Sequence, residues 1–159
     1  MRKVEFQANV AKSFDELIKH ILSAYSRGLP QFRPTNKVHL NHAVICGSGP
    51  TVKDFVEDIR EHKKRGRNIV SLNAAHDFLI SHGVIPNVHV SVDPRARIIK
   101  GFRQPRDDIL YLIASQCHPG VFEHLKNYRV YLWNSYSEEL HALAKDMKMY
   151  EVGLVHIGS

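Results

Sequence analysis

Five places in this sequence gather small, polar or ionisable side chains directly after a short apolar run: Gly47-Ser48-Gly49-Pro50-Thr51, Asn73, Asp93-Pro94, Ser115-Gln116-Cys117-His118 and Asn134-Ser135. The first is the most informative. Gly47 and Gly49 permit positive φ and close approach of a ligand to the backbone. Pro50 suits the first position of a helix, where a missing N–H costs nothing. Free amides at the start of that helix, with its dipole, would hold a phosphate, and Ser48 and Thr51 add hydroxyls. The turn is not a P-loop, since no Gly-Lys-Ser/Thr follows. It is not a dinucleotide fingerprint either, since Val52 stands at the third glycine position. Asn73 replaces the acidic residue that would grip a nicotinamide ribose, which argues against a dehydrogenase.

In Val88-His89-Val90-Ser91-Val92-Asp93 valines alternate with polar residues, and Pro94 forces Asp93 into an extended conformation. Two roles are open to the Asp93 carboxylate: a magnesium ion shared with nucleotide phosphates and waters, or an Asx turn bonding the following amides. His118, before Pro119, suits either a helix cap or acid–base work. Ser115 and Gln116 complete a strand end able to contact a nucleotide. Cys117 is read as a small buried side chain rather than a nucleophile, His76 as a surface residue of its helix, and Trp133 as core. Arg95, Arg97, Lys100, Arg103 and Arg106 form either a solvated basic loop or a clamp on nucleotide phosphates. Nucleic acid is disfavoured, because Phe102 is the one aromatic within that charge. His39 and His42 precede the first strand and no H-E-x-x-H spacing occurs, which disfavours protein-bound zinc.

Apolar spacing supplies the elements that would carry these residues. Ser13-Phe14-Asp15-Glu16 is a capping box, and Phe14, Leu17, Ile18, Ile21, Leu22 and Tyr25 recur at helical spacing up to Gly28-Leu29-Pro30. Residues 1–36 are read as an N-terminal helix and linker, and residues 37–159 as one α/β domain. Strands are expected at residues 43–46, 68–72, 88–92, 109–114 and 129–133, with a further one at 150–157. Val52, Phe55, Val56 and Ile59 share one helical face, Ala74, Ala75, Phe78 and Leu79 another, and Pro119 opens a third helix. Ser135-Tyr136-Ser137-Glu138 is a second capping box. Strands alternating with helices predict a Rossmann-like, doubly wound, mostly parallel sheet of five to six strands with helices on both faces. A 3-2-1-4-5 order would bring residues 47–51, Asn73 and Asp93 to one edge. Gly158-Ser159 reads as the start of a loop, so the domain is expected to be truncated at its C-terminus.

With 159 residues, 43% of them hydrophobic, the chain suits one globular domain. Lysine and arginine outnumber aspartate and glutamate by 22 to 16, a net charge of +6 that favours anionic partners. The densest patch, Lys63-Lys64-Arg65-Gly66-Arg67, is read as a solvated helix end. No apolar run approaches the ~18 residues of a membrane span. The amino end lacks a signal peptide's apolar stretch, and Cys46 and Cys117 form no disulfide framework. A cytoplasmic protein without membrane contact is expected.

Ile45-Cys46-Gly47-Ser48-Gly49-Pro50-Thr51, Ser71-Leu72-Asn73-Ala74-Ala75, Gly83-Val84-Ile85-Pro86 and Ser91-Val92-Asp93-Pro94 follow one another at the spacing of a known family. They resemble the 6-hydroxymethylpterin diphosphokinase MptE-like family of Rossmann-like proteins, and Ala114-Ser115-Gln116-Cys117-His118-Pro119 resembles its phage and bacterial members. The family's usual Gly-Pro-Ser becomes Gly49-Pro50-Thr51, which keeps the hydroxyl. The resemblance implies nucleotide-dependent transfer: a diphosphate moved from ATP to a pterin alcohol with magnesium. Related motility accessory factors imply a glycosyltransferase using CMP-sugars and a glycan acceptor. A third expectation is a nucleotide-binding module without activity of its own. The G-x-G-P-S/T turn followed by a strand-ending asparagine is also similar to bacterial sialyltransferases, with Gly47, Gly49, Pro50, Thr51 and Asn73 the matching positions; Asp93 and His118 are the expected catalytic residues and Asp93 the magnesium ligand.

Overall fold

The structure, a computed structural model, describes residues 13–33, 42–135 and 154–155. Its first element, α1 (Phe14–Tyr25), starts at the expected capping box: Glu16 N donates to Ser13 Oγ and Ser13 N to Glu16 Oε2, each at 3.3 Å. Its inward face is His20, Ile21 and Ala24, while Phe14 and Leu22 stay exposed. The chain then joins the sheet directly: Phe32 N donates to Leu132 O and Leu132 N to Pro30 O.

The strands are β1 (Ala43–Cys46), β2 (Asn68–Leu72), β3 (Val88–Ser91), β4 (Leu110–Ala114), β5 (Val130–Ser135) and β6 (Leu154–Val155). Their bounds fall within a residue or two of expectation, except that β6 is shorter. All pair in parallel, giving an α/β, Rossmann-like layer. The order corrects one expectation. Each strand pairs with its neighbour in sequence, β1-β2-β3-β4-β5-β6, rather than 3-2-1-4-5. Every crossover between the described strands therefore steps the same way, and the described residues form no reversal crevice beside β1. Among the described residues β1 forms one edge of the sheet.

Between strands lie α2 (Val56–Lys64), α3 (Ala75–Ser81) and α4 (Pro119–His124). Register puts Cys46, Ile69, Ser71, His89, Ser91, Tyr111, Ile113, Val130 and Leu132 on one buried face. Ile59 of α2 and Leu79 of α3 pack with Cys46 and Ile69. Val121 and Phe122 of α4 join Ala24 of α1 and the β4 and β5 side chains. The alternate positions Val70, Leu72, Val88, Val90, Leu110 and Leu112 are aliphatic and half-buried. The basic patch does end α2, where Gly66 takes φ 75° and Lys63 Nζ donates to Asn87 Oδ1. The second capping box and the helix expected after it lie outside the described residues, apart from Ser135.

Candidate functional site

Asn73 follows β2 with φ 52°, a left-handed conformation that asparagine tolerates better than most side chains. The turn leads through Ala74 into α3 and leaves Asn73 at the carboxyl edge of the sheet. Across β3, Asp93 and Pro94 redirect the chain into a 3-10 helix, Ala96–Gly101. Gly101 then lies flat on the Asn73 turn: a Cβ there would stand 2.8 Å from Ala74 Cα. This close approach brings the basic helix over the strand ends. The result is a cavity of about 410 Å³ lined by Ser48, Asn73, Asp93, Arg95, Arg97 and Lys100, among others.

Asp93 fills the Asx-turn role: Oδ1 accepts from Arg95 N at 2.9 Å. The same carboxylate also grips the Arg95 side chain, whose Nε lies 2.7 Å from Oδ1 and 3.0 Å from Oδ2. The Arg95 guanidinium, aided by its backbone N–H and the Arg97 charge, holds the Asp93 carboxyl below the usual carboxylate range. With both oxygens engaged by Arg95, the donor set does not fit a resident magnesium ion. Cations, an amide and a hydroxyl around one occupied carboxylate suit a phosphate instead. Among the described residues no three His, Cys, Asp or Glu side chains gather to hold a metal.

The glycine turn differs from expectation in detail. Gly49 has φ −67° and ψ 158°, and Gly47 also lies outside the left-handed region. Pro50 does open a helix, but a 3-10 turn, Pro50–Phe55, precedes α2, with Val52 N bonded to Gly49 O. Of this motif Ser48 faces the cationic cavity. Gly47, Gly49 and Thr51 line the adjoining cleft of about 670 Å³, beside Ile45, Val52 and Phe55. Phe55 is 55% exposed there.

The other strand ends are tied into the fold by hydrogen bonds and burial. Ser115 is buried, and Gln116 ties three strands: its Nε2 donates to Val92 O at 3.2 Å and its Oε1 accepts from Ser135 Oγ. Cys117 is fully buried, as read, with its thiol pushed up to about 12 by burial. His118 caps α4, its Nδ1 accepting from Gly120 N at 3.0 Å, and its ring meets His20 edge-on at 5.3 Å. Ser115, Gln116 and His118 are not among the residues lining the cationic cavity. Trp133 is core, as read, its indole N–H donating to Leu112 O.

His76 is the clearest correction: it is fully buried rather than on the surface. It lies between Asp77 and Tyr111, neither of which stood out in the sequence. A histidine on the apolar side of a helix, beside an aspartate, was the available signal.

No helix among the described residues is long and apolar enough to cross a membrane. No curated protein matches the chain. The fold is similar to the MAf glycosyltransferase from Magnetospirillum magneticum AMB-1, at 16% identity and a TM-score of 0.54 over 78% of this chain. That match spans 20% of the glycosyltransferase's own length. The sequence profile described as "6-hydroxymethylpterin diphosphokinase MptE-like" matches residues 9–156, and the chain belongs to that family.

Proposed function

We propose that this domain binds a nucleotide by its phosphates in the cationic cavity and serves a transferase that moves a diphosphate from a nucleoside triphosphate to an alcohol such as a hydroxymethylpterin. The observation carrying this reading is the convergence of Arg95, Arg97 and Lys100 on Asn73 and Ser48. Family membership supports transfer chemistry. In the reaction the acceptor oxygen attacks the β-phosphorus, the Pα–O–Pβ bridge breaks, the hydroxyl proton passes to solvent and a nucleoside monophosphate leaves. Cations beside that departing phosphate stabilise the charge growing on it. Ser48 and Asn73 orient the nucleotide, while Asp93 keeps the Arg95 guanidinium partly occupied. The glycine turn lets the nucleoside cross into the adjoining cleft, where the exposed Phe55 offers a face for the base.

A CMP-sugar donor is the second reading. There the acceptor oxygen attacks the anomeric carbon, its proton passes to solvent and CMP leaves, so the same cations meet the same kind of leaving group. The fold shared with a glycosyltransferase and a donor set that suits phosphate without metal favour it.

A thermal-shift series with ATP, GTP, CTP, CMP and CMP-sugars, with and without magnesium, tests both. A ligand that binds the native state raises the midpoint, and Arg97→Ala or Lys100→Ala should each weaken it roughly tenfold, as expected for a hydrogen bond to a charged group. Release of nucleoside monophosphate with a hydroxymethylpterin or a glycan acceptor separates the two reactions. Equal binding by both variants would move the phosphate elsewhere.

A further inference from the structure

We propose that Asp77, His76 and Tyr111 are positioning residues that hold the basic segment 95–106 over the phosphate cavity, a role that rests on the nucleotide reading above. Beyond Ile98 and Phe102, which enter the core, the segment is a 3-10 helix of 6 residues and then irregular chain up to β4, so few backbone hydrogen bonds of its own fix it. Side chains hold its backbone instead. Arg103 N donates to Asp77 Oδ2 at 2.9 Å, and Arg106 N donates to the Tyr111 hydroxyl at 2.8 Å. His76 joins the two acceptors, with Nδ1 2.8 Å from Asp77 Oδ1 and Nε2 3.1 Å from the Tyr111 oxygen.

One arrangement of protons satisfies every member. A carboxylate only accepts, so His76 Nδ1–H donates to Asp77; Nε2 then accepts the Tyr111 O–H, and the phenol oxygen keeps lone pairs for Arg106 N–H. The bonds run one way, from Arg106 through Tyr111 and His76 to Asp77, so each polarises the next. Rings lock the imidazole in place: His89 lies edge-on at 5.1 Å and Phe102 at 6.2 Å. Phe102 belongs to the basic segment and is itself fully buried, and its carbonyl accepts from His124 Nε2 at 3.0 Å. With Gly101 pressed on Ala74, the segment is pinned along its length while Arg97 and Lys100 remain at the cavity. A clamp ordered before the ligand arrives avoids the entropy of ordering it on binding.

Tyr111→Phe keeps the ring and removes both hydroxyl bonds; Asp77→Ala removes the other end. Tripolyphosphate is titrated calorimetrically into the wild type and each variant, while hydrogen exchange reads the Arg103 and Arg106 amides. Tyr111→Phe should speed exchange at Arg106 and Asp77→Ala at Arg103, and each should weaken tripolyphosphate about tenfold, the scale of one lost positioning interaction. Ile21→Val, a core truncation in α1, should leave both readouts as in the wild type. Because the two variants act from opposite ends, one that fails to fold leaves the other as the test. Faster exchange with unchanged affinity would overturn the proposal and leave a structural role alone; unchanged exchange would overturn it too. A wild-type protein that does not bind tripolyphosphate would instead overturn the nucleotide reading, and the proposal with it.

Discussion

The decisive pair at the residue scale is Asp93 and Arg95. A metal ligand and a guanidinium partner predict opposite results for one substitution. Asp93→Asn keeps the oxygen that accepts from Arg95 N but removes the charge that occupies the guanidinium. If the carboxylate restrains Arg95, the variant frees a cation and should bind tripolyphosphate two- to fivefold more tightly, the size of a partly exposed ion pair at ~0.5–1 kcal/mol. A carboxylate needed for magnesium would give weaker binding of a magnesium–nucleotide complex. Calorimetry with and without magnesium separates the outcomes. Asp93 and Asn73 were legible because a strand ends in a polar residue before a proline or a tight turn. The Arg95 partnership was not, since spacing of two residues states proximity without stating which of several cations turns back. His76 was misread for a related reason: burial of a polar side chain depends on partners from β4 and the basic segment, which local periodicity does not contain.

Among the elements, the strands and α1 were legible because each carries a local signal: apolar runs of strand length, a capping box, a glycine or proline stop. Their order was not. A right-handed crossover fixes the hand of each βαβ unit but not whether the next strand is added beyond β2 or on the far side of β1. The shift from 3-2-1-4-5 to a sequential order leaves the cavity intact, since β2 and β3 remain neighbours and Ser48 follows β1 beside them. What the site depends on is the docking of the basic 3-10 helix. Gly101→Ala puts a methyl against Ala74 backbone, which cannot turn aside, so it should cost about 1–3 kcal/mol as an overpacked contact and weaken phosphate binding as the helix lifts. Gly49→Ala is the contrast. Its φ of −67° suits any residue and nothing lies within 4 Å of the added carbon, so its stability should match or exceed the wild type. Urea unfolding of the two variants checks both signs.

On the scale of the whole molecule, the buried histidines tie stability to pH. His89 is fully buried on β3, its Nδ1 3.1 Å from Ser71 Oγ, and burial, with a smaller push from His76, brings its pKa down to about 3. Burial also lowers His76, against the opposing pull of Asp77. An unfolded histidine titrates near 6.5, so below that pH the unfolded chain binds protons that the folded protein refuses. Stability contributed by the neutral imidazoles is therefore complete above pH ~6.5 and falls as the pH drops toward 3. For His89 alone the loss between pH 6.5 and 5 should be about 1.6 kcal/mol, somewhat under 1.36 kcal/mol per unit because the unfolded imidazole is only half protonated at pH 6.5. Asp93, Asp108, Glu57 and Glu123, whose carboxyls are held low by arginines, act in the same direction but only below their unfolded values near 4. The window from 6.5 to 5 thus belongs to the histidines. His89→Leu, which keeps an apolar group of similar size under Phe102 and Tyr111, should flatten urea stability across that window while the wild type declines. A variant whose stability still falls as steeply from pH 6.5 to 5 would place the protonation penalty outside β3.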